Sequence, residues 1–111
     1  NFFDGIVVNI ENNQGTFAGE TFKKDKIGLV SSEKSLGSSV RLGIRPQHLS
    51  IDKRGPIEGT VTMVERLGTE TVVELISEDK VLFRQVSSET VSLSVGEKVK
   101  FNFNSELAHL F

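Results

Sequence analysis

Gly28-Leu-Val-Ser-Ser-Glu-Lys-Ser35 comes within one residue of the phosphate-binding pattern G-x-x-x-x-G-K-[ST]. Glu33 stands where the second glycine belongs. It sets a carboxylate against any phosphate and removes a permissive backbone position. No amphipathic helix follows, so the match reads as a coincidence in a Ser-rich loop. His48 and His109 are the only histidines, and there is no cysteine, which makes a poor basis for a metal centre. The expected roles are local: His48 hydrogen-bonds within its turn, and His109 caps a terminal strand. No G-x-S-x-G elbow is present, and the carboxylate spacing picks out no acid/base pair. An enzyme is therefore disfavoured. The densest chemistry lies in Arg45, Pro46, Gln47 and His48, where a guanidinium, an amide and an imidazole fall within four residues. Arg45 has two readings. It braces a carboxylate with its planar fork, or it contacts a partner domain. The brace is preferred, with Glu65 as the first candidate.

The elements that must carry these residues are strands. Val40, Leu42 and Ile44 alternate with Arg41, Gly43 and Arg45, a period-two pattern. Pro46 cannot donate to a ladder, so the strand is expected to stop near Arg45, turn through His48 and resume at Leu49 and Ile51. Phe2 to Ile10 reads as a strand, Asn12 to Gly15 as a turn, and Thr16 to Phe22 as the returning arm. Lys23 to Lys26 reads as a charged loop, Ile27 to Val30 as a short strand and Ser31 to Ser39 as a loop. Asp52 to Gly55 is a polar turn. In Ile57 to Leu67, the alternation of Ile57, Gly59, Val61 and Met63 would carry Glu65 inside. A bulge between Met63 and Val64 is expected to prevent that, because an unpaired buried carboxylate is costly. Thr71 to Ile76 and Val81 to Val86 are further strands, and Val91 to Val95 is a short strand or a strand-like loop. Val99, Phe101 and Phe103 alternate with Lys98, Lys100 and Asn102, which points the phenyl rings inward. Ser105 to Leu107 is read as one helical turn.

Short strands at spacings near ten residues, without a sustained helical period, define an all-β chain. The expected fold is a small OB-like β-barrel of short antiparallel strands, or two small intertwined barrels. At 111 residues the chain is one domain, 1–111. Its 13 basic and 15 acidic residues give a net charge of −2, which lacks the basic footprint of a nucleic-acid binder. No run approaches the roughly 18 apolar residues of a membrane-spanning helix. Position 1 is Asn and a strand pattern begins at once, which reads as a piece of a longer protein.

Gly43-Ile-Arg-Pro-Gln-His-Leu49 resembles the Gly-Ile-Arg-Pro-Glu-His-Leu signature of the carboxy-terminal domain of ATP-binding subunits in carbohydrate-importing ABC transporters. Gln47 stands where that family usually has Glu. Gly59, Val61, Val64, Glu65, Leu67, Gly68, Glu70 and Thr71 are similar to a second segment of the same family. Phe83-Arg84-Gln85, His109-Leu110-Phe111 and Asn1-Phe2-Phe3 are similar to others.

The resemblance implies a transport-associated OB-type module. Such a module follows a nucleotide-binding domain, pairs with its twin across a two-fold axis and accepts regulatory proteins. ATP and Mg would belong to the preceding domain of the parent, and this chain is expected to hold no cofactor or metal. The expected partners are that ATPase domain, a second copy, membrane permease subunits reached through the parent, and regulatory proteins, with no nucleic acid. The expected location is cytoplasmic, at the inner face of the cell membrane. Arg45, Gln47, His48, Glu65 and Glu70 are the signature-turn and interface candidates. A second reading is a small-oxyanion-binding barrel, whose ligand would sit at the Ser31 to Ser39 loop.

Overall fold

A computed structural model describes residues 1–11, 14–28, 36–88 and 92–111. Ten strands follow in chain order: β1 (Phe2–Glu11), β2 (Gln14–Gly19), β3 (Lys23–Gly28), β4 (Ser39–Gly43), β5 (Leu49–Ile51), β6 (Ile57–Leu67), β7 (Glu70–Ile76), β8 (Leu82–Ser87), β9 (Lys98–Phe103) and β10 (His109–Leu110). Two 3-10 turns, Pro46–His48 and Ser105–Leu107, interrupt them. The strands form two five-stranded antiparallel sheets, ordered β10-β4-β1-β2-β3 and β5-β9-β6-β7-β8. The fold is all-β and OB-like, as the periodicity indicates.

The turn at Pro46 carries the chain from one sheet to the other. β4 lies in the first sheet, and β5, which begins four residues after Arg45, is an edge of the second. Leu42, Ile44 and Leu49 are all buried and anchor both ends of the crossing. The second sheet curls until its edges meet. The Gln85 side chain on β8 donates through Nε2 to the Leu49 carbonyl on β5 at 3.2 Å.

One core serves both sheets. A chain of edge-on and tilted phenyl rings runs through it. Phe17 meets Phe22, and Phe22 meets Phe3, each at 5.1 Å between centroids. Phe3 meets Phe83 at 5.8 Å, and Phe83 meets Phe101 at 5.9 Å. Phe22 also reaches Phe103 at 5.9 Å. Phe101 and Phe103 are buried, as their alternation requires. Polar ties cross the same boundary. Thr21 donates to Asp79 at 2.7 Å, and Lys24 donates to Asn102 at 2.9 Å.

Four expectations need correction. Lys23 to Lys26 is not a loop but lies in β3, at the edge of the first sheet, where charge is tolerated and discourages further pairing. The returning arm of the first hairpin ends at Gly19, not Phe22. The bulge in β6 falls at Thr62, between Val61↔Leu75 and Met63↔Glu74, and not after Met63. Val61 is fixed by the turn beside it, donating to Glu97 O at 2.9 Å and accepting from Gly96 N at 2.8 Å, so the extra residue follows at once. Met63 is consequently exposed rather than inward, while Glu65 stays outside as the bulge argument required. Of the two readings offered for Val91 to Val95, the loop holds, since residues 92–95 form no strand. Residues 29–35, which hold most of the near-miss phosphate loop and of the proposed oxyanion loop, lie outside the described residues.

Candidate functional site

The signature turn is built by Pro46. Arg45, the residue before it, is extended at φ −67° and ψ 143°. Its carbonyl accepts from the His48 backbone N–H at 2.9 Å, and the Pro46 carbonyl accepts from Leu49 N–H. Arg45 and Gln47 are exposed, and His48 is half-buried. The His48 ring does not satisfy its turn as expected, since Nδ1 is buried and without a hydrogen-bond partner. Glu65 and Glu70 are exposed on the β6–β7 hairpin, opposite Val72 and Leu67 respectively. The structure does not make the expected brace. The ion pairs among the described residues are Arg41–Asp4, Arg84–Glu74 and Lys100–Glu58, and none joins Arg45 to Glu65. Both side chains instead keep their hydration at the surface. Arg45 lines an open groove of about 260 Å³ with Phe2, Ile44, Pro46, His109 and Phe111.

That groove opens on the outward face of the first sheet. β1 buries Phe3 and Val7 and turns Phe2, Asp4, Ile6 and Val8 to the other side. Phe2 and Phe111 meet edge-on at 5.9 Å, over Gly43. A methyl group at Gly43 would stand 3.2 Å from the Phe2 ring and 3.1 Å from the Phe111 ring, so the missing side chain makes room for both. Asp4 and Arg41 pair at 2.8 Å across β1 and β4, and the Arg41 guanidinium lies 5.9 Å from the Phe2 ring centroid. The Arg41 hydrogen bond holds the Asp4 carboxyl below the usual carboxylate range, and the same bond raises Arg41. On the far side of Phe2 lies a second groove, of about 530 Å³, lined by Ile6, Ala18, Asp4, Glu20 and Asp79. The face thus has a central apolar ridge, a basic groove on one side and an acidic groove on the other.

At Asp79 burial opposes ionisation, but the Ser77 and Thr21 hydroxyls and the backbone outweigh it, so its carboxyl also sits below the ordinary value. Sequence reading singled out the turn and missed this face. The signal was present in Phe2-Phe3. Adjacent residues of a strand point to opposite faces, so one of two neighbouring phenyl rings must leave the core.

The class of protein is set by these features: a small all-β, OB-like module with an exposed apolar face and, among the described residues, no three His, Cys, Asp or Glu side chains grouped to hold a metal. Residues 42–111 match the TOBE domain family, and the chain belongs to it. Among similar proteins is the maltose/maltodextrin import ATP-binding protein MalK of Vibrio parahaemolyticus, 36% identical over 80 residues, covering 68% of this chain and 21% of the relative. The MalK protein of Vibrio vulnificus is 35% identical over the same shares. That of Aliivibrio fischeri is 28% identical over 116 residues, covering all of this chain and 31% of the relative. The chain therefore spans only a fifth to a third of the length of the curated relatives it matches.

Proposed function

We propose that the chain is the non-catalytic regulatory and dimerisation domain of the ATP-binding subunit of an ABC importer for a sugar or glycerol-3-phosphate. The family membership and the MalK relatives support the parent protein. ATP and Mg then belong to the nucleotide-binding domain that precedes this one, and the permease subunits are reached through it, at the cytoplasmic face of the membrane. Regulatory proteins are further partners of the exposed signature turn, through Arg45 and Gln47, and of the hairpin carboxylates Glu65 and Glu70.

One observation carries the dimer. The outward face of the first sheet is self-complementary. Antiparallel sheets usually turn polar residues to water on their free face, yet Phe2, Ile6 and Phe111 are exposed here. A two-fold axis through the Asp4–Arg41 pair would lay the basic groove of one copy over the acidic groove of the other, as an isologous contact demands. Sedimentation tests it. Asp4→Arg and Arg41→Asp should each weaken self-association about tenfold or more, and an equimolar mixture of the two should restore it as a heterodimer. A wild-type chain that stays monomeric at millimolar concentration, or swaps without effect, would overturn this reading. Titration with Mg-ATP should show no saturable binding near the micromolar range, roughly 8 kcal/mol of affinity. Stoichiometric binding would refute the division of labour.

A further inference from the structure

The second sheet is not closed by backbone pairing. Its edges, β5 and β8, run in the same direction, because each of the four neighbouring pairs between them is antiparallel. Among the described residues, the polar bond across the seam is the one from Gln85 Nε2 to Leu49 O. Along the same seam lies a groove of about 320 Å³, lined by Ser50, Ile51, Gln85, Val86, Ser87 and Ser88.

Strand periodicity fixes which backbone groups face this groove. On β8, the Arg84 N–H and carbonyl point away from β7, for they bond the Asn1 side-chain amide, each at 2.8 Å. Val86, two residues on, faces the same way. On β5, the Leu49 carbonyl points toward β8, and Ile51, two residues on, does likewise. Both edges therefore aim peptide groups into one gap. The Asn1 amide shows that the β8 edge accepts a peptide-like donor and acceptor. The seam also holds an acceptor short of a donor. Gln85 is 3% exposed, both its N–H bonds are used by Leu49 and Ser87, and its Oε1 is buried with no partner.

We propose that this seam is a strand-addition site, which receives an extended, uncharged peptide segment from a partner protein. A segment of about three residues, the length of β5, running opposite to β5 and β8 would be antiparallel to both, the better ladder geometry. It bonds the backbone of Val86 on one side and Ile51 on the other. One of its N–H groups, after a small rotation of the Gln85 amide, supplies the missing donor to Oε1. Among the described residues the lining carries no charge, so the segment alternates small hydroxyl and branched apolar side chains. This site is separate from the dimer face and stands whether or not the chain dimerises.

The test is a nuclear magnetic resonance titration of the whole chain with a blocked peptide of alternating threonine and valine. Saturable shifts should cluster at Ser50, Ile51, Val86, Ser87 and Ser88, and amide exchange at Val86 and Ile51 should slow about tenfold. Val86→Pro removes the outward N–H without touching the ladder to β7, and should weaken binding about tenfold. Val86→Thr should bind like the wild type. The same peptide with its backbone nitrogens methylated should not bind, an outcome independent of whether the proline variant folds. An absence of shifts at millimolar peptide, shifts elsewhere on the surface, or equal binding of the methylated peptide would overturn the proposal.

Discussion

Phe101 is wholly buried on β9, edge-on to Phe83 and paired in register with Ile57 on one side and Ile51 on the other. Phe101→Ala should cost about 3–5 kcal/mol, measured by denaturant unfolding, because the cavity is walled by strands that cannot collapse into it. An unchanged midpoint would mean that the β9 face is reversed. Arg45 behaves oppositely. With no bond to Glu65, the double-mutant cycle of Arg45→Ala and Glu65→Ala should be additive to within about 0.5 kcal/mol. Asp79 makes a pH-dependent contribution. Its folded carboxyl titrates below the ordinary aspartate range, held there by the Ser77 and Thr21 hydroxyls, so its stabilisation is present above the ordinary value and is lost as pH falls through the lower, folded one. The stability difference between wild type and Asp79→Asn should be constant near neutrality and shrink below about pH 4. A difference independent of pH down to acid unfolding would refute it. Alternation alone revealed Phe101. The Thr21 and Ser77 hydroxyls beside Asp79 come from distant or locally folded segments, which sequence spacing does not report.

The strand-turn-strand element around Pro46 was legible because a covalent fact decides it. Proline has no N–H, and the apolar alternation on either side is clean. The sheet membership of its two arms was not legible, since β4 and β5 have the same pattern and only tertiary pairing separates them. Position errors have similar causes. The β6 bulge was foreseen from the cost of burying Glu65, but its place depends on the Gly96–Glu97 turn, which comes from another part of the chain. Lys23 to Lys26 read as loop from its charge, whereas an edge strand accommodates charge. The polar turn from Asp52 to Gly55 gives a sharp test at this scale. Gly55 N–H bonds the Asp52 carbonyl at 2.8 Å, and the turn sits so close to β9 that a methyl at Gly55 would overlap the Phe101 backbone. Gly55→Ala should destabilise by about 3 kcal/mol, near the upper range for overpacking, since backbone cannot yield as a side chain can. Gly68→Ala meets nothing within 4 Å and has only its φ of +62° to oppose it, so it should cost about 1 kcal/mol. Equal costs in thermal melts would mean that the contact with β9 is absent.

The molecule measures 42 × 26 × 22 Å, and such an elongated pair of sheets could unfold as two units or as one. The phenyl chain argues for one. Phe22 stands between the sheets, touching Phe3 and Phe17 on one side and Phe103 on the other. Removing it deprives both sheets of a shared wall, so neither can be weakened alone. Phe22→Ala should cost about 3–5 kcal/mol. Amide exchange read at Val40 in the first sheet and Val73 in the second should speed up together, because both report the same global opening. The ties of Thr21 to Asp79 and Lys24 to Asn102 strengthen this coupling, as they cross the boundary at separate points. If exchange accelerated at Val40 alone while Val73 kept its protection, the two sheets would be independent folding units. The dimer face, which lies on the first sheet, could then open without disturbing the strand-addition seam on the second.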